Sequence, residues 1–251
     1  MDTPAIEAKS LTIEYKTARG KKKLAVDKLS FTVGRGEIVG FIGPNGAGKT
    51  SAIKALLDFI PVPKGECFIS GIPAGNPQAR SRLGYMPEIS YYPKYLTLSE
   101  FLHTCAAVSG IPWRSRGNAV INAAKRVGMY PNLKSRLSSF SKGMLQQAGC
   151  AQALVHYPDI LILDEPMSGL DPIARARMRR LLSELRSEGK TILFSSHELS
   201  EIEMVADRII LMHRGKLLYQ GPVAEIVDTN SNLEQAFLKL LGEELPCPPS
   251  Q

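Results

Sequence analysis

The chain has 251 residues, of which 44% are hydrophobic and 22% charged, with a formal net charge of +7; this is ordinary globular composition, at a length suited to one large domain or a domain with a subdomain. No apolar run approaches the roughly 20 residues that cross a bilayer. Met1-Asp2-Thr3-Pro4 lacks a basic start followed by an apolar core, so neither a membrane span nor a signal peptide is expected, and the expected location is the cytosol or the cytosolic face of another component.

Ile6, Ala8, Leu11, Ile13 and Tyr15 alternate with polar residues, with a break near Lys9-Ser10, and predict a half-exposed strand over 6–15. Gly20 and Lys21-Lys22-Lys23 turn the chain. The lysines read first as a solvated hairpin tip; basic charge beside a phosphate ligand or lipid headgroups explains them as well. A second strand over 24–33 sets Leu29, Phe31 and Val33 on one face, and Gly34-Arg35-Gly36-Glu37 turns into the apolar strand Ile38-Val39-Gly40-Phe41-Ile42.

Gly43-Pro44-Asn45-Gly46-Ala47-Gly48-Lys49-Thr50, continued by Ser51, matches G-x-x-x-x-G-K-[ST]. The glycines let backbone N–H groups approach phosphate oxygens, Lys49 sets a compact positive charge near the β- and γ-phosphates, and Thr50 offers a hydroxyl to Mg²⁺. A helix over 50–59, with Ile53, Leu56, Leu57 and Ile60 apolar, points its positive end at the phosphates.

Pro61-Val62-Pro63-Lys64-Gly65 breaks this pattern; a short strand over 66–69, a helical turn over 78–82 and a strand over 83–86 ending at Pro87-Glu88 follow. From 89 to about 139 the spacing is helical (98–108, 115–127 and 132–137), a helical insertion in an α/β chain. Trp113 is either core or a partner contact. Ser141 opens a helix over 142–156 and, with Gly143, makes either an ordinary capped helix or a second phosphate site.

Ile160-Leu161-Ile162-Leu163 reads as a buried parallel strand with Asp164 and Glu165 at its C-terminal end, the edge where open α/β sheets bind ligands. Asp164 is placed to hold Mg²⁺ through water and Glu165 to activate a water for attack on the γ-phosphate. Ser168-Gly169-Leu170-Asp171-Pro172 leads into a helix to 188. A strand over 191–194 then carries Ser195-Ser196-His197 to the same edge, where His197 is in reach of the γ-phosphate. A hairpin (209–213 and 216–219) and helices over 223–227 and 233–241 close the chain, with Pro246-Cys247-Pro248-Pro249 frayed. Cys67, Cys105, Cys150 and Cys247 form no metal-binding spacing and predict reduced, packed thiols; His103, His156 and His213 have no visible partners. Beside these motifs Tyr15 reads as an aromatic that stacks on a purine base rather than one more packed strand tyrosine.

Together these motifs make the chain resemble the ATP-binding cassette (ABC) ATPases over nearly its full length. Residues 43–50 resemble the Walker A motif and 160–165 Walker B with its catalytic glutamate. Phe140 to Met144 stand at the signature, usually Leu-Ser-Gly-Gly-Gln; Ser141 and Gly143, the phosphate-facing pair, are kept. Asp171 matches the D-loop aspartate, His197 the switch histidine and Tyr15 the adenine-stacking aromatic, while Glu88 stands where the family usually has the Q-loop glutamine. Glu88, the Phe-Ser-Lys-Gly-Met signature and the ending Leu233-Glu234-Gln235-Ala236-Phe237 are similar to those of ABC-2-type export systems.

The resemblance implies an α/β P-loop NTPase core of mostly parallel sheet, with an N-terminal antiparallel β subdomain and a helical subdomain inserted at about 89–145. It implies a single domain over 1–230 and a short helix and tail over 231–251. ATP and Mg²⁺ are the implied cofactors. Tyr15, the loop from Gly43 to Ser51, Ser141, Gly143 and Asp171 bind nucleotide; Thr50, Asp164 and Glu88 face the metal; Lys49, Glu165 and His197 are catalytic. The implied partners are a separate integral membrane permease and a second ABC ATPase subunit, whose Ser141 and Gly143 close over the γ-phosphate. A soluble ABC ATPase acting on ribosomes or nucleic acid is the alternative that the net charge raises; the chain has neither the second cassette nor the long coiled-coil insertion usual there, so no nucleic-acid partner is expected.

Overall fold

The computed structural model describes residues 3–16, 20, 22–62, 64–88, 91–227 and 232–242. The expectations for Met1 and Asp2, for Lys21 of the lysine cluster, for Pro63, for Ile89, and for the tail with Cys247 lie outside the described residues.

β1 (Ile6–Lys16) pairs antiparallel with β2 (Lys22–Val33). The break at Lys9-Ser10 is a bulge: the register shifts between Ala8 and Leu11, and Ser10 takes a left-handed φ of 46°. β3 (Ile38–Ile42) runs into the loop before α1 (Lys49–Leu56). β4 (Lys64–Ile69) pairs with β1, and β5 (Ile72–Pro73) pairs with β4. The antiparallel sheet, in the order β2-β1-β4-β5, is therefore not built from the N-terminus alone; half its strands come from beyond α1.

After α2 (Pro77–Arg80) and β6 (Leu83–Met86) come the helical segments α3 (Leu98–Val108), α4 (Trp113–Arg126) and α5 (Lys142–Leu154). β7 (Ile160–Leu163), α6 (Pro172–Ser187), β8 (Thr191–Ser196), α7 (Leu199–Glu203), β9 (Arg208–His213), β10 (Lys216–Pro222) and α8 (Leu233–Leu241) complete the described chain. The central sheet has the order β10-β9-β3-β8-β7-β6 and is parallel except for the edge hairpin β9–β10.

Its inner strands β3, β7 and β8 are buried on both faces, as their near-continuous apolar runs require, while the edge strand β10 is largely exposed. Successive residues go to opposite cores: Val39, Phe41, Ile160, Ile162 and Leu193 pack with α1 and the antiparallel sheet. Ile38, Ile42, Leu161, Leu163 and Phe194 pack with α3 to α6.

Several boundaries differ from expectation for local reasons. The helix expected over 50–59 ends at Leu56 because Asp58 adopts φ 58°, with Phe59 N–H bonding Lys54 O at 2.8 Å and Asp58 N–H bonding Ala55 O at 3.0 Å, a Schellman closure. The helix expected over 132–137 is absent; only short 3₁₀ turns, Tyr130–Asn132 and Leu137–Ser139, form there. Its carbonyls serve α3 instead: Leu98 N–H bonds Ser135 O at 3.0 Å and Ser99 N–H bonds Leu133 O at 2.9 Å, filling donors that a helix N-terminus leaves open. The segment expected as a helix over 223–227 is a 3₁₀ turn, Val223–Glu225, and α7 was not anticipated because five residues are too short for a periodic signal. β8 reaches Ser196, two residues beyond expectation, and the helix expected to end at 156 stops at Leu154.

His156 does have a partner, contrary to expectation: its Nε2 lies 3.2 Å from Leu83 O, and burial lowers its pKa. Trp113 is 78% exposed, which settles it as not core. The thiols of Cys67 and Cys150 are buried and that of Cys105 partly so; burial pushes them up to about 11, about 12 and about 11, consistent with unreactive packed groups.

Candidate nucleotide site

β3, β8, β7 and β6 are parallel neighbours, so the segments that follow them emerge at one edge. That edge carries a cavity of about 600 Å³, within the roughly 300–1,000 Å³ typical of small-molecule sites. Asn45 to Ser51 form one wall, Tyr15 and Lys23 to Ala25 another, and Glu88, Glu165, His197, Arg214 and Gly215 close it.

The loop after β3 is fixed by steric necessity. A Cβ on Gly43 would meet Met212 O, and one on Gly48, at φ 108°, would meet Ala25 O. Gly48 is the N-cap of α1 and supplies no side-chain cap, so the first N–H groups of α1 open into the cavity. Lys49 is buried, and its Nζ donates to Gly43 O at 2.5 Å, curling the side chain back along the loop. Desolvation lowers the Lys49 pKa, opposed by the nearby charges of Glu165, Asp164 and Glu88.

Asp164 is 1% exposed, its N–H bonded to Met86 O at 2.8 Å. Its Oδ1 accepts from Ser195 Oγ at 2.5 Å, and its other oxygen has no hydrogen-bond partner among the described residues. Glu165 is 7% exposed and held at a left-handed φ of 52°, uncommon for a side chain of this size. Three side chains hold it there. Its N–H donates to Ser195 Oγ at 2.9 Å, its C=O accepts from Gln146 Nε2 at 2.8 Å, and its Oε2 lies 2.8 Å from His197 Nδ1. A carboxylate only accepts, so this tautomer carries the proton on Nδ1.

The structure thus brings Tyr15, the loop from Asn45 to Ser51, Glu88, Glu165 and His197 to one cavity, with Asp164 buried behind it. Tyr15 is 40% exposed, and its hydroxyl lies 3.2 Å from Ser51 Oγ. Thr50 lines the same wall. Ser141, Gly143 and Asp171 do not line this cavity. Ser141 caps α5, its Oγ accepting from Met144 N–H at 3.2 Å, and Asp171 caps α6, its Oδ1 accepting from Ala174 N–H at 2.8 Å.

Sequence reasoning gave no site role to Ser195, Gln146, Leu24, Ala25, Arg214 or Gly215. No local signal marks the last four: Gly215 N–H reaches Ala47 O at 2.9 Å, and Gly215 O accepts from Asp27 N–H at 2.8 Å, only after both sheets have formed. Lys23, read first as part of a solvated tip, is exposed yet lines the cavity.

Oxygen donors dominate the metal-side set (Thr50, Asp164, Glu88), which suits a hard cation such as Mg²⁺. The oxygen left free on buried Asp164 fits that use. Among the described residues no helix is long and apolar enough to cross a membrane.

A family model described as ABC transporter matches residues 26–168. An uncharacterised ABC transporter ATP-binding protein of Synechocystis is 38% identical over 233 residues, covering 91% of this chain and 66% of its own length. The bacitracin transport ATP-binding protein BcrA of Bacillus licheniformis is 40% identical over 209 residues, 82% of this chain and 67% of its own. The chain therefore spans about two thirds of the length of these two relatives. A solved structure described as the ATP-binding subunit of an ABC transporter matches with a TM-score of 0.84 at 29% identity, covering 94% of this chain and 99% of the other.

Proposed function

From the premise that this chain belongs to the ABC transporter family, as an ATP-binding and ATP-hydrolysing subunit, we propose that it powers an exporter of the ABC-2 type. The observation that carries the reading is the convergence of the phosphate loop, Lys49, Glu165 and His197 on one cavity. The open N–H groups of α1 and Lys49 hold the triphosphate, and Tyr15 stacks on adenine. Thr50, Asp164 and Glu88 would hold Mg²⁺, which when bound would screen the charge of the β- and γ-phosphates. Glu165 takes the proton of the attacking water as its oxygen bonds to the γ-phosphorus and the bond to ADP breaks. His197 fixes the Glu165 carboxylate and stands in reach of the γ-phosphate.

Ser141, Gly143 and Asp171 belong in this reading to the site of a second ABC ATPase subunit, in a head-to-tail dimer. That none of the three lines this chain's own cavity supports that reading. An integral membrane permease is the other partner, which makes the subunit peripheral on the cytoplasmic face. The ABC-2 assignment is supported by Glu88, by the Phe-Ser-Lys-Gly-Met signature and by the relative named for bacitracin transport. A single ABC ATPase domain over 1–230, with the helical subdomain at about 89–145 and 231–251 as a short helix and tail, is the domain plan proposed.

Glu165→Gln is the direct test. ATP binding is retained while phosphate release falls by about a hundredfold or more; near-normal release would remove Glu165 from the base role. Co-purification of an integral membrane protein with the chain tests the permease.

A further inference from the structure

We propose that Ser195 is a positioning residue that sets the metal-side carboxylate and the base together. It rests on the roles given above to Asp164 and Glu165. Ser195 is 0% exposed, directly after the buried apolar run Ile192-Leu193-Phe194 of β8. A buried hydroxyl is costly there unless both its proton and its lone pairs are used. Here both are used, by the two residues that directly follow the neighbouring strand β7: the proton goes to Asp164 Oδ1 at 2.5 Å, and a lone pair accepts Glu165 N–H at 2.9 Å.

Each bond has a separate consequence. Holding Oδ1 of Asp164 fixes the rotation of that carboxylate and dictates which oxygen remains for a cation. Holding Glu165 N–H pins one side of a residue kept at φ 52°, while Gln146 pins its carbonyl. Two residues on, past the strand end, His197 lies on the same face and holds the Glu165 side chain. One strand end therefore controls backbone and carboxylate of Glu165 and, through Ser195 alone, the carboxylate of Asp164. No aliphatic residue, and no group that only donates or only accepts, makes both bonds.

The test compares Ser195→Ala and Ser195→Thr with the wild-type chain. Three quantities are measured: ATP affinity in EDTA, ATP affinity in Mg²⁺, and kcat. In Ser195→Ala the affinity in EDTA stays within about twofold, because the phosphate loop is untouched. The tightening by Mg²⁺ and kcat each fall about tenfold to a hundredfold, the scale of a lost hydrogen bond to a charged group. Ser195→Thr, which keeps the hydroxyl, restores both. Wild-type Mg²⁺ tightening and kcat in Ser195→Ala would overturn the proposal, as would equal losses in the Ala and Thr variants. Should Ser195→Ala not fold, Ser195→Cys, whose thiol is a weak donor, reads the same quantities. Asp164→Asn runs in parallel. If it loses the Mg²⁺ tightening and Ser195→Ala keeps it, Ser195 alone is excluded; if Asp164→Asn itself keeps the tightening, the metal role of Asp164 fails and takes the Ser195 proposal with it.

Discussion

The N-termini of α1 and α5 are built from similar material, a glycine and hydroxyl residues at or next to the cap, and the structure uses them differently. At α1 the cap is Gly48, there is no side-chain cap, and a Cβ on Gly48 would meet Ala25 O. At α5 the cap is Ser141, which bonds its own helix, and a Cβ on Gly143 would make ordinary contacts, the nearest with Leu170 Cδ2 at 3.5 Å and Gly169 O at 3.7 Å. Packing within the chain demands glycine at 48 and nothing in it demands glycine at 143. The Ser141 hydroxyl, moreover, spends a lone pair on Met144 N–H, and its proton has no acceptor among the described residues. The first end leaves its N–H groups open to the cavity of its own chain, and the second, already capped, carries a glycine that its own packing does not require; the proposed dimer gives that glycine a use.

The largest effect that would sharpen this contrast is expected from Gly48→Ala. Left-handed strain of about 1–3 kcal/mol adds to overpacking of about 1–3 kcal/mol, so the isolated chain loses stability and ATP binding falls below detection. Unchanged ATP affinity by titration would break the claim that sterics fix this loop. Gly143→Ala comes next. Thermal unfolding of the chain is unchanged or gains about 0.5–1 kcal/mol, as expected for Gly to Ala in a helix. ATP binding is retained and steady-state hydrolysis falls about tenfold. A variant with full turnover would show that this glycine serves no partner's nucleotide.

The smallest effect is on pH. Burial holds the Lys49 amine below its usual 10.5. A bound triphosphate adds negative charge and raises it again. The Lys49 contribution to ATP affinity is therefore complete below the lowered value and is lost as pH rises through the window up to the raised one. ATP affinity weakens severalfold on alkaline titration, and Lys49→Arg, which stays protonated, flattens that slope. An equal slope in both proteins would assign the titration elsewhere.

The legible parts of the fold were those with local causes. The strands β6 and β7 fall where short, largely apolar runs put them, and the helices α3 and α8 where 3.6-residue spacing does. The six residues over 132–137 were misread because their helical spacing was real but their carbonyls are taken by Leu98 and Ser99. Glu165 and His197 were legible as residues at the ends of apolar strands. Ser195 sits equally close to a strand end, but its role exists only through bonds to Asp164 and Glu165.

By itself the sequence determined the phosphate loop, the two-sided aliphatic strands and the family resemblance, because turn chemistry and hydrophobic period are properties of neighbours in the chain. Only the tertiary structure decided that β8 lies between β3 and β7. That order brings Lys49 together with Glu165 and His197, which follow it by more than 100 residues in the sequence. It also puts Ser195 between two carboxylate residues and leaves Gly143 outside the cavity. These facts depend on hydrogen bonds between strands distant in sequence, which no local pattern encodes.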